Sequence, residues 1–157
     1  ANERFSNDSK ILIIGPRSES DILKLNAYGY KNITAIDLIT YTKNIKIMDA
    51  HNITFDDSSF DCIFCGWVLP YSNNPELIAK NIIKVIKNKG LVSIGIEYSK
   101  NDKINSINKI KKLFENNIEN IFFEYDADLK YLNQSKLCEI SGLDSSQILI
   151  SFTVKKK

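Results

Sequence analysis

Long apolar runs, paired cysteines, glycine clusters and an excess of one charge are all missing from these 157 residues. No stretch nears the roughly 18 apolar residues of a bilayer-spanning helix, and Ala1 to Lys10 is polar rather than signal-like. The expectation is therefore a cytoplasmic chain with no membrane partner. Cysteine occurs only as Cys62, Cys65 and Cys138, an odd number, so reduced thiols are expected instead of a disulfide framework. Cys62 and Cys65 have the spacing of a redox pair, but both lie within one apolar run, where residues three apart face opposite sides of a strand. They are expected to be buried and structural. His51 is the one histidine and no second cysteine pair exists, so no metal site is expected. Twenty-one basic residues against 19 acidic ones leave a net charge of +2, which argues against nucleic acid as a partner. The only basic run, Lys155 to Lys157, reads as a solvated tail.

What is present is a single globular domain over 1–157, able to bury roughly two thirds of its unfolded surface without staples. Short β-branched runs alternate with amphipathic stretches. Lys10 to Ile14 and Ile33 to Leu38 read as strands, with a helix over Ser20 to Tyr28 between them, started by Ser18 and Asp21 at capping-box spacing and closed by Gly29. Phe60 to Trp67 is apolar enough for a strand buried on both faces. Asn74, Pro75 and Glu76 open a helix whose face is Ile78, Ile82, Val85 and Ile86, running to Lys89 and Gly90. Leu91 to Tyr98 is the next strand. Asp102 caps a helix with Ile107, Ile110 and Phe114 inward, and Ile118 to Tyr125 is a strand after it. Asp126 to Ser146 reads as irregular, with a short helix near Tyr131 to Leu137, and Gln147 to Val154 is a last strand. Strands alternating with helices give a three-layer α/β sheet, in which ligands bind outside the carboxyl ends of the strands.

Those strand ends hold the candidate chemistry. The first turn, Gly15, Pro16, Arg17, Ser18, Glu19, has one glycine, which is poor for a dinucleotide pyrophosphate. Arg17 and Glu19 either meet a carboxylate and an ammonium or are solvent-facing loop charges. Asp37 lies about twenty residues further on, at the spacing of an acid that accepts ribose hydroxyls, with helix capping as its alternative.

Ile11 to Gly15, Ile36 to Leu38, Met48-Asp49-Ala50-His51 with Phe55, Asp57 to Asp61, and Trp67-Val68-Leu69 before the Pro75 helix and Gly90 resemble the ordered motifs of class I S-adenosylmethionine-dependent methyltransferases. The resemblance covers residues 10–100, which would be the cofactor-binding half; 1–9 would be a polar N-terminal segment and 101–157 the C-terminal half. It implies a Rossmann-like, mainly parallel sheet whose last strand runs antiparallel between the fifth and sixth strands. It also implies S-adenosylmethionine as cofactor and a small molecule as methyl acceptor. Gly15, Pro16, Arg17 and Glu19 would then form the loop under the methionine part, Asp37 would hold the ribose, and Leu38 would lie near the adenine. Asp49 would accept from the adenine amino group, with Ala50 or His51 beside the ring, and Gly66 and Trp67 would line the floor beneath the sulfonium. His51 has a turn role as its alternative, and Trp67 core packing.

Tyr71, Glu97, Tyr98 and His51 are the candidate bases for an acceptor that needs one. The first turn differs from the family pattern in having Ile13 two residues before Gly15 and no further glycine. Leu38 to Ile45 is too short for the family's second helix, so the third strand, near Ile45 to Met48, should be short or irregular, at the sheet edge. Other readings are a noncatalytic module that binds a nucleoside or protein, and an NAD-binding domain. Nine residues before the first strand are too few for a covering helix, which leaves Pro70 to Asn74 with Tyr71, Asp126 to Ser146 with Tyr131, further residues or an oligomeric contact to close the site.

Overall fold

A computed structural model describes residues 5–99, 102–127 and 145–156. Seven strands form one sheet: β1 (Ile11–Ile14), β2 (Ile33–Asp37), β3 (Lys46–Ile47), β4 (Phe60–Gly66), β5 (Ile86–Ser99), β6 (Ile118–Ala127) and β7 (Ser145–Val154). Their order is β3-β2-β1-β4-β5-β7-β6. The first five run parallel, and β7 is antiparallel to both β5 and β6. This is the expected Rossmann-like arrangement, including the inserted last strand. Strand order reverses between β1 and β4, where ligands of such sheets bind.

Side-chain alternation divides the core in two. Leu12, Ile14, Ile63 and Cys65 pack with Ile78, Ile82 and Val85 of α2 (Pro75–Val85) and with Ile107 and Ile110 of α3 (Lys103–Leu113). Ile11, Ile13 and Cys62 face the other way, towards Ile22 and Leu25 of α1 (Ser20–Ala27). Cys62 and Cys65 therefore lie on opposite faces, both buried, and burial pushes each thiol up to about 12. The C-terminal half repeats the alternation. Val92, Ile94, Ile96, Ile148, Ile150 and Phe152 enter the larger core, while the intervening residues of β5 and β7 are mostly small or polar. Two of these, Ser93 and Ser151, share a buried hydrogen bond of 2.7 Å across the paired strands.

Several local expectations change. Glu19 rather than Ser18 occupies the N-cap of α1, and no side chain caps it, because Ser18 Oγ bonds Ser20 instead. The Pro75 helix stops at Val85, short of Lys89, because Ile86 is drawn into pairing opposite Phe60 and Lys87 reaches Asp61 at 2.7 Å. The chain then turns tightly: a Cβ on Gly90 would lie 2.7 Å from Ile86 Cγ1 and 2.9 Å from the Lys87 carbonyl. Asp102 precedes α3 as expected, but its carboxylate takes the Asn105 amide at 2.8 Å in place of a backbone N–H. Residues 126–127 and 145–146, expected to be irregular, belong to β6 and β7. The expected helix at Tyr131 to Leu137 and Cys138 lie outside the described residues. The third strand is the short edge strand anticipated, paired to β2 through Ile36↔Lys46 and Asp37↔Ile47. No helix among the described residues is long and apolar enough to cross a membrane.

Candidate active site

The carboxyl ends of β1, β2, β4 and β5 open into one cleft of about 840 Å³, within the usual size range of small-molecule sites. Gly15, Pro16, Arg17, Asp37, Leu38, Asp49, Ala50, His51, Gly66 and Trp67, the predicted cofactor set apart from Glu19, all line it. So do Tyr71 and Glu97 among the candidate bases. Tyr98 follows in β5 opposite Ser146, and its side chain lies outside the described residues.

Glu19 is used elsewhere: its carboxylate accepts the Thr42 hydroxyl and, at 2.7 Å, the Asn44 side-chain amide. It ties the first loop to the segment before β3, and it is absent from the cleft lining. Gly15 closes β1 at φ 74, and a Cβ there would meet Val68 Cγ2 at 2.4 Å and the Gly66 carbonyl at 3.3 Å. Only glycine permits both this backbone and this approach of the first loop to the β4 loop. Arg17 follows, also in the left-handed region at φ 54, and its N–H donates to Asp37 Oδ2 at 3.0 Å. The Leu38 N–H donates to Asp37 Oδ1 at 2.7 Å. A carboxylate has about four acceptor sites, so each oxygen of Asp37 keeps capacity for a further donor.

Across the cleft, Asp49 caps the short 3-10 turn Ala50–Asn52. Its Oδ1 accepts the His51 N–H at 2.8 Å and the His51 Nδ1 at 2.7 Å. The His51 backbone N–H first, then its ring, hold the Asp49 carboxyl below the ordinary carboxylate range. Because the ionised acid can only accept, Nδ1 presents a proton to it, and Nε2 lies 2.7 Å from the Ser72 hydroxyl. Ser72 Oγ in turn accepts the Asn74 N–H at 2.9 Å. The loop between β4 and α2 is thereby fastened to the Asp49 turn. Tyr71, the residue before Ser72, donates its hydroxyl to Glu97 Oε2 at 3.2 Å, so residues 67–74 bridge the cleft from the Asp49 side to the end of β5.

Trp67 begins that bridge at φ 52, its N–H bonded to the Gly95 carbonyl at 2.9 Å, and it is 42% exposed. A left-handed backbone is rare for a bulky residue, and such strain concentrates at functional sites. A Cβ on Gly66 would meet nothing within 4 Å, so that glycine leaves open space in the cleft wall. Ser72, Gln147 and Leu149 also line the cleft and carried no predicted role. The last two were findable, since an antiparallel last strand beside the fifth puts alternate residues on the cleft side. Ser72 gives no such signal, because only the loop conformation brings it to His51.

The sequence matches a family model described as a methyltransferase domain over residues 12–94. No curated protein matches at a significant level. Among solved structures, an S-adenosylmethionine-dependent methyltransferase from Methanosarcina mazei is similar at 16% identity and TM-score 0.72, over 98% of this chain and 96% of that one. The geranyl diphosphate C-methyltransferase of Streptomyces coelicolor, solved with S-adenosylhomocysteine, is similar at 7% identity and TM-score 0.69, over 96% and 74%. The cyclase SpnF is similar at 12% identity and TM-score 0.73, over 96% and 76%.

Proposed function

The chain belongs to the class I methyltransferase family, and from that premise we propose that it binds S-adenosylmethionine in the cleft and methylates a small-molecule acceptor. The observation that carries this reading is Asp37, whose carboxylate is fixed by the Arg17 and Leu38 N–H groups at the end of β2 with both oxygens still able to accept. Two ribose hydroxyls are donors suited to it. Gly15 supports the same reading, because its missing side chain lets the first loop lie close against Val68. Asp49 would accept the adenine amino group through the oxygen His51 leaves free, with Ala50 and Leu38 beside the ring. Gly66 and Trp67 would lie under the sulfonium.

When bound, the cofactor supplies a methyl group already activated by the positive charge on sulfur. The chain's own contribution is then mainly positioning and exclusion of water. The bridge 67–74 is placed to do both, tied as it is at Ser72 and at Tyr71. A second reading, nucleoside binding without methyl transfer, is favoured by the likeness to a protein described as a cyclase. Calorimetric titration with S-adenosylhomocysteine, S-adenosylmethionine and NAD tests the binding reading. Tight binding of the first two and none of NAD is expected; NAD binding alone would overturn it. Methyl release to an acceptor panel then separates transfer from binding alone.

A further inference from the structure

Resting on that reading of the cleft, we propose that the acceptor is an amine, held as its ammonium by Glu97 between Trp67 and Tyr71. The end of the cleft away from β2 is lined by Trp67, Tyr71, Gly95, Glu97, Gln147 and Leu149. Glu97 is the one formal charge in that group. No lysine, arginine or histidine among the described residues pairs with it, whereas the cationic side chains of the lining, Arg17 and Lys24, belong to the β1–α1 end. Its partner is the Tyr71 hydroxyl at 3.2 Å, which fixes the carboxylate without neutralising it.

The two aromatic residues point to the same chemistry. Tyr71, 74% exposed, touches this acid, and Trp67, 42% exposed on a left-handed backbone whose N–H meets the Gly95 carbonyl, lines the same end of the cleft. Aromatic faces flanking a carboxylate attract an alkylammonium through the ring quadrupole as well as the charge. An anionic acceptor would meet Glu97 as a like charge, and a neutral hydroxyl would gain a hydrogen bond to it without the charge pairing that an ammonium adds. For transfer the ammonium gives up one proton, by way of Glu97 to solvent. The nitrogen lone pair then takes the methyl as the carbon–sulfur bond breaks with its electron pair on sulfur. The product is the methylated ammonium and a neutral thioether, so charge and atoms balance.

The test uses three probes with one body and different heads: phenethylamine, 3-phenylpropionate and 2-phenylethanol. Each is titrated calorimetrically into the protein saturated with S-adenosylhomocysteine. The amine is expected to bind at least tenfold more tightly than the other two, and Glu97→Gln to remove at least tenfold of that affinity while S-adenosylhomocysteine binding and the circular dichroism spectrum stay as in the parent. Preference for the acid or alcohol, binding of none of the three, or an amine affinity unchanged by Glu97→Gln would overturn the proposal and leave the cofactor reading standing. Loss of S-adenosylhomocysteine affinity in Glu97→Gln would assign Glu97 to the cofactor's own ammonium, which also overturns it. Failure of the parent to bind S-adenosylhomocysteine would instead remove the reading beneath it.

Discussion

Asp37 carries two backbone N–H groups and is proposed to carry two hydroxyls besides, so its removal tests both jobs at once. Asp37→Ala is expected to weaken S-adenosylhomocysteine binding by about 1 to 3 kcal/mol, the scale of charge-assisted hydrogen bonds, measured by calorimetry. An unchanged affinity would show that Asp37 is not the ribose ligand. Asp61 makes a different prediction, about pH. Burial alone would raise its carboxyl, but the Lys87 ammonium at 2.7 Å and the Lys10 N–H at 2.9 Å outweigh it and hold the group below its ordinary 3.8. A carboxyl depressed in the folded state contributes stability that is present above its unfolded value and is lost as pH falls through the folded one. Urea unfolding should find Asp61→Asn weaker than the parent by about 1 kcal/mol at pH 6, with the gap shrinking at pH 3. The thiols of Cys62 and Cys65, pushed up to about 12, should not react with a disulfide reagent at pH 8 until the protein is denatured. A Cys138→Ser background isolates them, and reaction of either in the native state would contradict their burial.

Among the elements, the β5–β7 pair has its own polar contact in Ser93 and Ser151. Ser151→Ala should cost about 1 kcal/mol by stranding the Ser93 hydroxyl, whereas the double alanine variant should recover part of that loss, since the unmatched group is then gone. Thermal unfolding of the four proteins in the cycle measures the difference. The elements were legible in proportion to how locally they are determined. β1, β2, α1 and the short edge strand β3 follow from β-branched runs, Gly29 and the brief link after Leu38. The end of the Pro75 helix was not legible: Ile86 continues the helical stripe, and only Phe60 across the sheet turns it into a strand. Site residues divide the same way. Asp37 stands where its spacing from the first turn puts it, whereas Asp49 was legible only through the family resemblance. The diversion of Glu19 to Thr42 and Asn44, and the link from His51 to Ser72, depend on contacts 23, 25 and 21 residues apart that no local pattern encodes.

For the molecule as a whole, the parallel strands place the proposed cofactor at one end of a cleft whose other end is built from β5 and β7, so the site is complete only when both halves of the sheet are joined. Ser93 and Ser151 meet across that junction although 58 positions separate them in the chain. During synthesis β5 must therefore wait, with one edge unpaired, until β7 has left the ribosome. Strand pairing across such separations is slow, and an unpaired apolar edge invites pairing with another nascent chain. A chain cut after residue 144 should consequently collect in inclusion bodies or on holdase chaperones, while supplying residues 145–157 as a separate peptide should return part of it to solution. In this architecture the strand that completes the proposed acceptor end is also the one that shields the newborn protein from its neighbours.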